Sequence, residues 1–200
     1  MTTTTSGVDP RVKRTRQLLM QAFMELLQEK SFTAITIQDI TEKATVNRAT
    51  FYAHFSDKYA LMDSLLREQF QAVAAQQLPA NPTWDMHTLR ALIGVVFNFL
   101  GALHRHCPPG SVQFDPLMMR VVQQEIAELL MRWLKLAQGT RMRPSARLDI
   151  IAPLLSWAIF GVASQWSYEG QEPSVEEMTK QVLLILTQGV ANIEPGLLPG

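Results

Sequence analysis

Apolar residues recur along the chain at steps of three and four rather than two, and each run is opened by helix-start chemistry. Asp9-Pro10 offers an N-cap side chain followed by a proline at the first helical position, where the missing N–H costs nothing. Behind it Val12, Thr15, Leu19, Ala22, Phe23, Leu26 and Leu27 form one stripe, predicting a helix to about Lys30. Thr36-Ile37-Gln38-Asp39 reads as a capping box opening a short helix that ends near Ala44. Asn47 caps a third helix to about Phe55, and Ser56 a longer fourth one over Asp57–Gln77. Strand signals are almost absent, so the expected class is all-α.

Pro79, Asn81 and Pro82 break the pattern, which divides the chain into an N-terminal domain over 9–77 and a second over 83–194. The second is predicted to hold a helix over 84–106, stopped by Pro108-Pro109-Gly110. A helix from Asp115-Pro116 to Gly139 follows, then a long apolar one to about Tyr168, bent at Pro153. A last helix, opened by Ser174-Val175-Glu176-Glu177, ends before Pro195. Ile150–Tyr168 has no formal charge over 19 residues, about the length of a bilayer span. Pro153, Ser156, Ser164, Gln165 and Ser167 interrupt it, which favours burial in a core or subunit interface over a membrane.

Composition sharpens this. The chain has 47% apolar residues and only 18% charged ones, below the roughly 25% usual for soluble domains. More surface is thus expected to be hidden than a lone monomer hides, which favours an oligomer. One cysteine, Cys107, excludes an internal disulfide, and the opening Met-Thr-Thr-Thr-Thr-Ser-Gly carries no apolar signal region. Both point to the cytoplasm. Formal net charge is zero, yet between Val8 and Ala60 eight Lys/Arg stand against six acids.

Two short helices joined by Thr45-Val46 and preceded by a long one make a helix-turn-helix candidate over 36–55. At about 100° per residue, Phe51 and Phe55 share the inward face of the third helix. Ala49 and Ala53 lie opposite, with Tyr52 on one shoulder and Thr50 and His54 on the other. Such a face is flat in the middle and polar at its edges, and so suits the major groove of double-stranded DNA. Arg48, in the first turn, is the candidate for reading guanine. An ordinary helical hairpin with a solvated face gives the same periodicity.

The run Thr36-Ile37-Gln38-Asp39-Ile40-Thr41-Glu42-Lys43-Ala44-Thr45-Val46-Asn47-Arg48-Ala49-Thr50-Phe51-Tyr52-Ala53-His54-Phe55, followed by Asp57-Lys58 and Leu61, resembles the signature of TetR-type transcriptional regulators. The resemblance covers about residues 9–77. It implies a three-helix reader joined by a long fourth helix to a helical ligand-binding and dimerisation domain, and a repressor acting on a palindromic operator. It further implies that Thr36 and Lys58 hold phosphates, that Thr50, Tyr52 and His54 line the DNA face and that Arg48 probes base edges, with Asn47 in the same DNA-binding set. Arg11, Lys13, Arg14 and Arg16 add a basic arm. Two positions depart from the usual pattern, where glycine often stands at Thr45 and Ala49.

In the second domain Phe97, Met118, Met131, Trp133, Trp157 and Phe160 are the candidates to line a pocket for a hydrophobic small-molecule effector, methionine being adaptable. Plain core packing produces the same residues. His104-Arg105-His106-Cys107 has metal-ligand types but sits at a helix end with no second cysteine, so neither metal nor cofactor is expected. No phosphate loop, nucleophile elbow or carboxylate–histidine helix motif is present, so an enzyme is not expected. The alternatives are a DNA-binding module of the same fold without an inducer and, further off, a helical-bundle enzyme or carrier.

Overall fold

The computed structural model describes residues 9–106, 116–139 and 147–189, without the side chains of His106, Pro116, Leu117, Met118 and Gln138. The described residues are all-helical: α1 (Pro10–Glu29), a 3-10 turn (Phe32–Ala34), α2 (Ile37–Lys43), α3 (Arg48–His54), α4 (Lys58–Gln77), α5 (Met86–His106), α6 (Pro116–Gly139), α7 (Leu148–Tyr168) and α8 (Val175–Gln188). They fall into two compact units that divide between Leu65 and Leu66, inside α4. That is upstream of the Pro79–Pro82 break, because Phe70 and Ala74 of α4 already belong to the second core.

The first unit is built around Leu19, Phe23, Leu26, Ile35, Ile40, Phe51, Phe55 and Leu61, each no more than 5% exposed. Asp9 caps α1 by accepting from the Arg11 N–H at 2.9 Å. The buried stripe of α1 starts at Leu19, whereas Val12 stands 43% exposed. The fourth helix is capped one residue later than expected: Asp57, not Ser56, accepts from the Ala60 N–H at 2.8 Å. A carboxylate outbids a hydroxyl for an orphan donor because its charge strengthens the bond.

In the second unit α6 packs along α7, and α5 against α7 and α8. Phe97 meets Trp166 edge to face at 5.2 Å, and Phe70 meets Phe99 at 5.3 Å. Asp85 caps α5 and Ser174 caps α8. Pro153 lies inside α7, where the Ser156 hydroxyl donates to its carbonyl at 2.9 Å and accepts from Gln123 of α6 at 2.8 Å. Among the described residues Met86–Arg105 and Leu148–Tyr168 are long and apolar enough to cross a membrane. The first is 56% buried within the chain and the second only 33%.

Candidate nucleic-acid interface

The site begins at the Thr36 cap. The Thr36 hydroxyl accepts from the Asp39 N–H at 3.1 Å, while the Thr36 N–H and hydroxyl donate to Asp39 Oδ2 at 2.7 and 2.8 Å. Lys30 Nζ reaches the same oxygen at 2.7 Å. Held first by Lys30 and then by the Thr36 donors, the Asp39 carboxyl is lowered from 3.8 to about 2. Lys43, at the other end of α2, pairs with Glu29 at 2.6 Å and Glu25 at 3.4 Å. Ion pairs to the end of α1 thus hold both ends of α2.

The turn after α2 takes Thr45 through the left-handed region, at φ 55°. The turn is closed by a bond from the Val46 N–H to the Thr41 carbonyl at 3.0 Å. Asn47 then caps α3, its Oδ1 accepting from the Thr50 N–H at 2.7 Å and the Thr50 hydroxyl at 2.9 Å. This directs the Thr50 hydroxyl proton to Asn47 and leaves its oxygen an acceptor.

Phe51 and Phe55 of this segment are 0% and 4% exposed, their rings 5.9 Å apart. Opposite them Arg48, Ala49, Tyr52 and Ala53 are exposed, with Thr50 and His54 half-buried at the edges. Tyr52 is 50% exposed, and its ring is braced edge to face on Phe51 at 5.6 Å. The predicted DNA face is therefore one continuous surface of α3, aimed by the two phenylalanines beneath it.

Lys58, the expected phosphate anchor, faces the turn before α2. Its ammonium donates to the carbonyls of Phe32, Thr33 and Ile35 at 3.0, 3.2 and 2.8 Å and lies 4.7 Å over the Phe32 ring. An ammonium has three protons, and these carbonyls match them in number. Burial lowers its pKa. Arg16 of the expected basic arm likewise stacks on Phe55, its guanidinium carbon 4.6 Å from the ring centre, whereas Arg11, Lys13 and Arg14 are exposed. Sequence periodicity carried no sign of either contact, since both join residues far apart in the chain.

The six pocket candidates separate. Phe97, Trp133 and Phe160 are at most 1% exposed and belong to the core of the second unit, with Met131 packed against it. Trp157 is 53% exposed, and the Met118 side chain lies outside the described residues. Trp133 lines a cavity of about 510 Å³ between α4 and α6, which Phe97, Met131, Trp157 and Phe160 do not line. Among the described residues no group of three or more His, Cys, Asp or Glu is placed to hold a metal. Cys107 is outside them.

The segment 19–65, from the first core residue of α1 to the middle of α4, matches the family model of bacterial regulatory proteins, tetR family. The N-terminal unit of this chain is thus similar to the TetR family. It is 44% identical over 61 residues to the uncharacterised regulator YxbF of Bacillus subtilis, covering 30% of this chain. This chain spans 16% of that protein's length, and 35% and 30% of two further B. subtilis regulators, YdeS and YvkB. A relative matched along most of the chain is the repressor KstR2 of Rhodococcus jostii, 24% identical over 88% of this chain and 91% of KstR2. The fold is shared with the regulator FadR from B. subtilis, solved with stearoyl-CoA. That likeness has a TM-score of 0.59, 16% identity, and covers 87% of this chain and 98% of FadR. These relatives are named as regulators of transcription, not as enzymes.

Proposed function

We propose that the chain is a DNA-binding transcriptional regulator of the cytoplasm, a homodimeric repressor released from its operator by a small-molecule effector. The observation that carries the reading is α3. Its polar and small residues Arg48, Ala49, Thr50, Tyr52 and Ala53 form one outward arc over buried Phe51 and Phe55. Thr50, Tyr52 and His54 meet the groove walls, Arg48 reads a base edge, and Thr36 sits at the N-terminus of α2, where partial positive charge favours phosphate. Asn47 and Lys58 act by positioning: one fixes the start of α3, the other holds the 32–35 turn that leads into α2. The reader is assigned to the unit before Leu65, and the effector and dimer functions to the unit after it.

Dimerisation is supported by α7. Ile150, Leu154 and Trp157, spaced by four and three residues, are 51%, 66% and 53% exposed, and Tyr168 is 47% exposed. An apolar stripe of this kind wants a cover, and a second copy offers the identical stripe across a two-fold axis. Of the last helix Ile185 is 43% exposed. Val182 is 5% exposed and packs in its own core, with Leu183 and Leu186 against that core. A dimer spaces its two recognition helices about 34–36 Å apart for successive major grooves.

Selection of bound sequences from a random duplex pool tests the function. A palindrome with two half-sites is expected, and recovery of no enriched sequence contradicts the reading.

A further inference from the structure

The cavity of about 510 Å³ in the second unit is walled by Phe70, Leu78, Leu129 and Trp133 and contains one buried charge, Glu125 of α6. Its side chain is 5% exposed. Arg67 of α4 donates to Oε1, and Gln71, one turn further along α4, donates to Oε2 at 2.8 Å. A carboxylate offers about four acceptor positions, so Glu125, which lines the cavity, keeps capacity for a further donor. The volume lies in the range of small-molecule sites, about 300–1,000 Å³. The charged groups lining it are Glu125, Glu128 and the exposed Arg132.

We infer that this cavity is the effector site and that it takes an amphipathic amine, with an apolar body among Phe70, Leu129 and Trp133 and a protonated nitrogen on Glu125. An anion entering the same space would meet a buried carboxylate, which is costly without a compensating cation. An ammonium gains a charge-assisted hydrogen bond there. It also sets a second positive charge beside Arg67, and like charges repel. The ligand therefore weakens the Arg67 link between α4 and α6, on the helix that continues from the reader. The regulatory consequence rests on the repressor reading above, whereas the binding chemistry does not.

The test uses the full chain and three probes of one shape: 4-phenylbenzylamine, 4-biphenylmethanol and 4-biphenylcarboxylate, titrated by calorimetry. The amine should bind about tenfold or more tightly than the alcohol, and the carboxylate more weakly than either. Glu125→Gln, isosteric and uncharged, should bring the amine and alcohol to within about threefold. Ala75→Trp, which fills the cavity from an exposed position of α4, should remove binding of both and serves if Glu125→Gln does not fold. Equal binding of amine and alcohol, a preference for the carboxylate, no binding of any probe, or an amine preference that survives Glu125→Gln would each overturn the inference. The selected operator is assayed separately with and without the amine. Amine binding with the predicted preference in a chain that selects no operator would uphold the site and refute the repressor reading.

Discussion

Lys58 lies over the ring of Phe32 and bonds the carbonyls of Phe32 and Thr33 within the 3-10 turn and of Ile35 just after it, tying the start of α4 to the segment that delivers α2. A phosphate-contacting lysine and a positioning lysine predict different salt behaviour. Lys58→Met should lower thermal stability by about 1–3 kcal/mol through its orphaned carbonyls. The slope of log affinity against log salt should stay near the wild-type value. A slope shallower by about 0.9 with unchanged stability would restore the phosphate role.

Thr45 at φ 55° bears the steric cost of a β-branched side chain in the left-handed region. Thr45→Gly should remove about 1–2 kcal/mol of strain and lose part of it to the freer unfolded chain. A net gain of about 0.5–1 kcal/mol is expected in thermal unfolding. A loss of stability would show that the turn is not strained.

Asp39 has a folded-state pKa of about 2 against an ordinary 3.8. A depressed acid stabilises above its unfolded pKa, and the contribution fades as pH falls through the folded value. Asp39→Asn should therefore melt lower than the wild type at pH 7, with the gap closing between about pH 4 and pH 2. A gap that persists at pH 2 would assign the effect to geometry rather than charge.

The exposed stripe of α7 predicts where the dimer is held. Leu154→Glu, at a position 66% exposed, leaves the core untouched and places two like charges near a two-fold contact. Sedimentation equilibrium should find a dimeric wild type and a monomeric variant, with tight binding to a two-half-site operator lost. A dimer that tolerates Leu154→Glu would place the interface elsewhere.

What the sequence disclosed was what is local. Asp9, Thr36, Asn47 and Ser174 cap within three residues of themselves, so their helix starts could be read from spacing, and the wheel of α3 set Phe51 apart from Tyr52 for the same reason. The contacts of Lys58 with carbonyls some 25 residues upstream, and of Arg16 with Phe55, join distant segments and leave no periodic trace. Pro79 and Pro82 mark where α4 stops, not where its partners change, because Phe70 and Ala74 look alike in a helix whichever core receives them. In the second unit aromatic and methionine content could not separate core from cavity wall. The polar group that distinguishes the cavity, Glu125, is one carboxylate among many in the sequence and becomes special only by burial.

The central claim, that the outward arc of α3 reads DNA while its inward arc holds the reader together, is tested most directly by Tyr52→Ala beside Phe51→Ala. Each variant is assayed for operator affinity and for thermal stability. Tyr52→Ala, at a half-exposed position, should weaken operator binding tenfold or more, a loss of about 1.4 kcal/mol or more, with little change in melting. Phe51→Ala, fully buried, should cost about 3–5 kcal/mol of stability. Undiminished operator binding by a folded Tyr52→Ala protein would contradict the account.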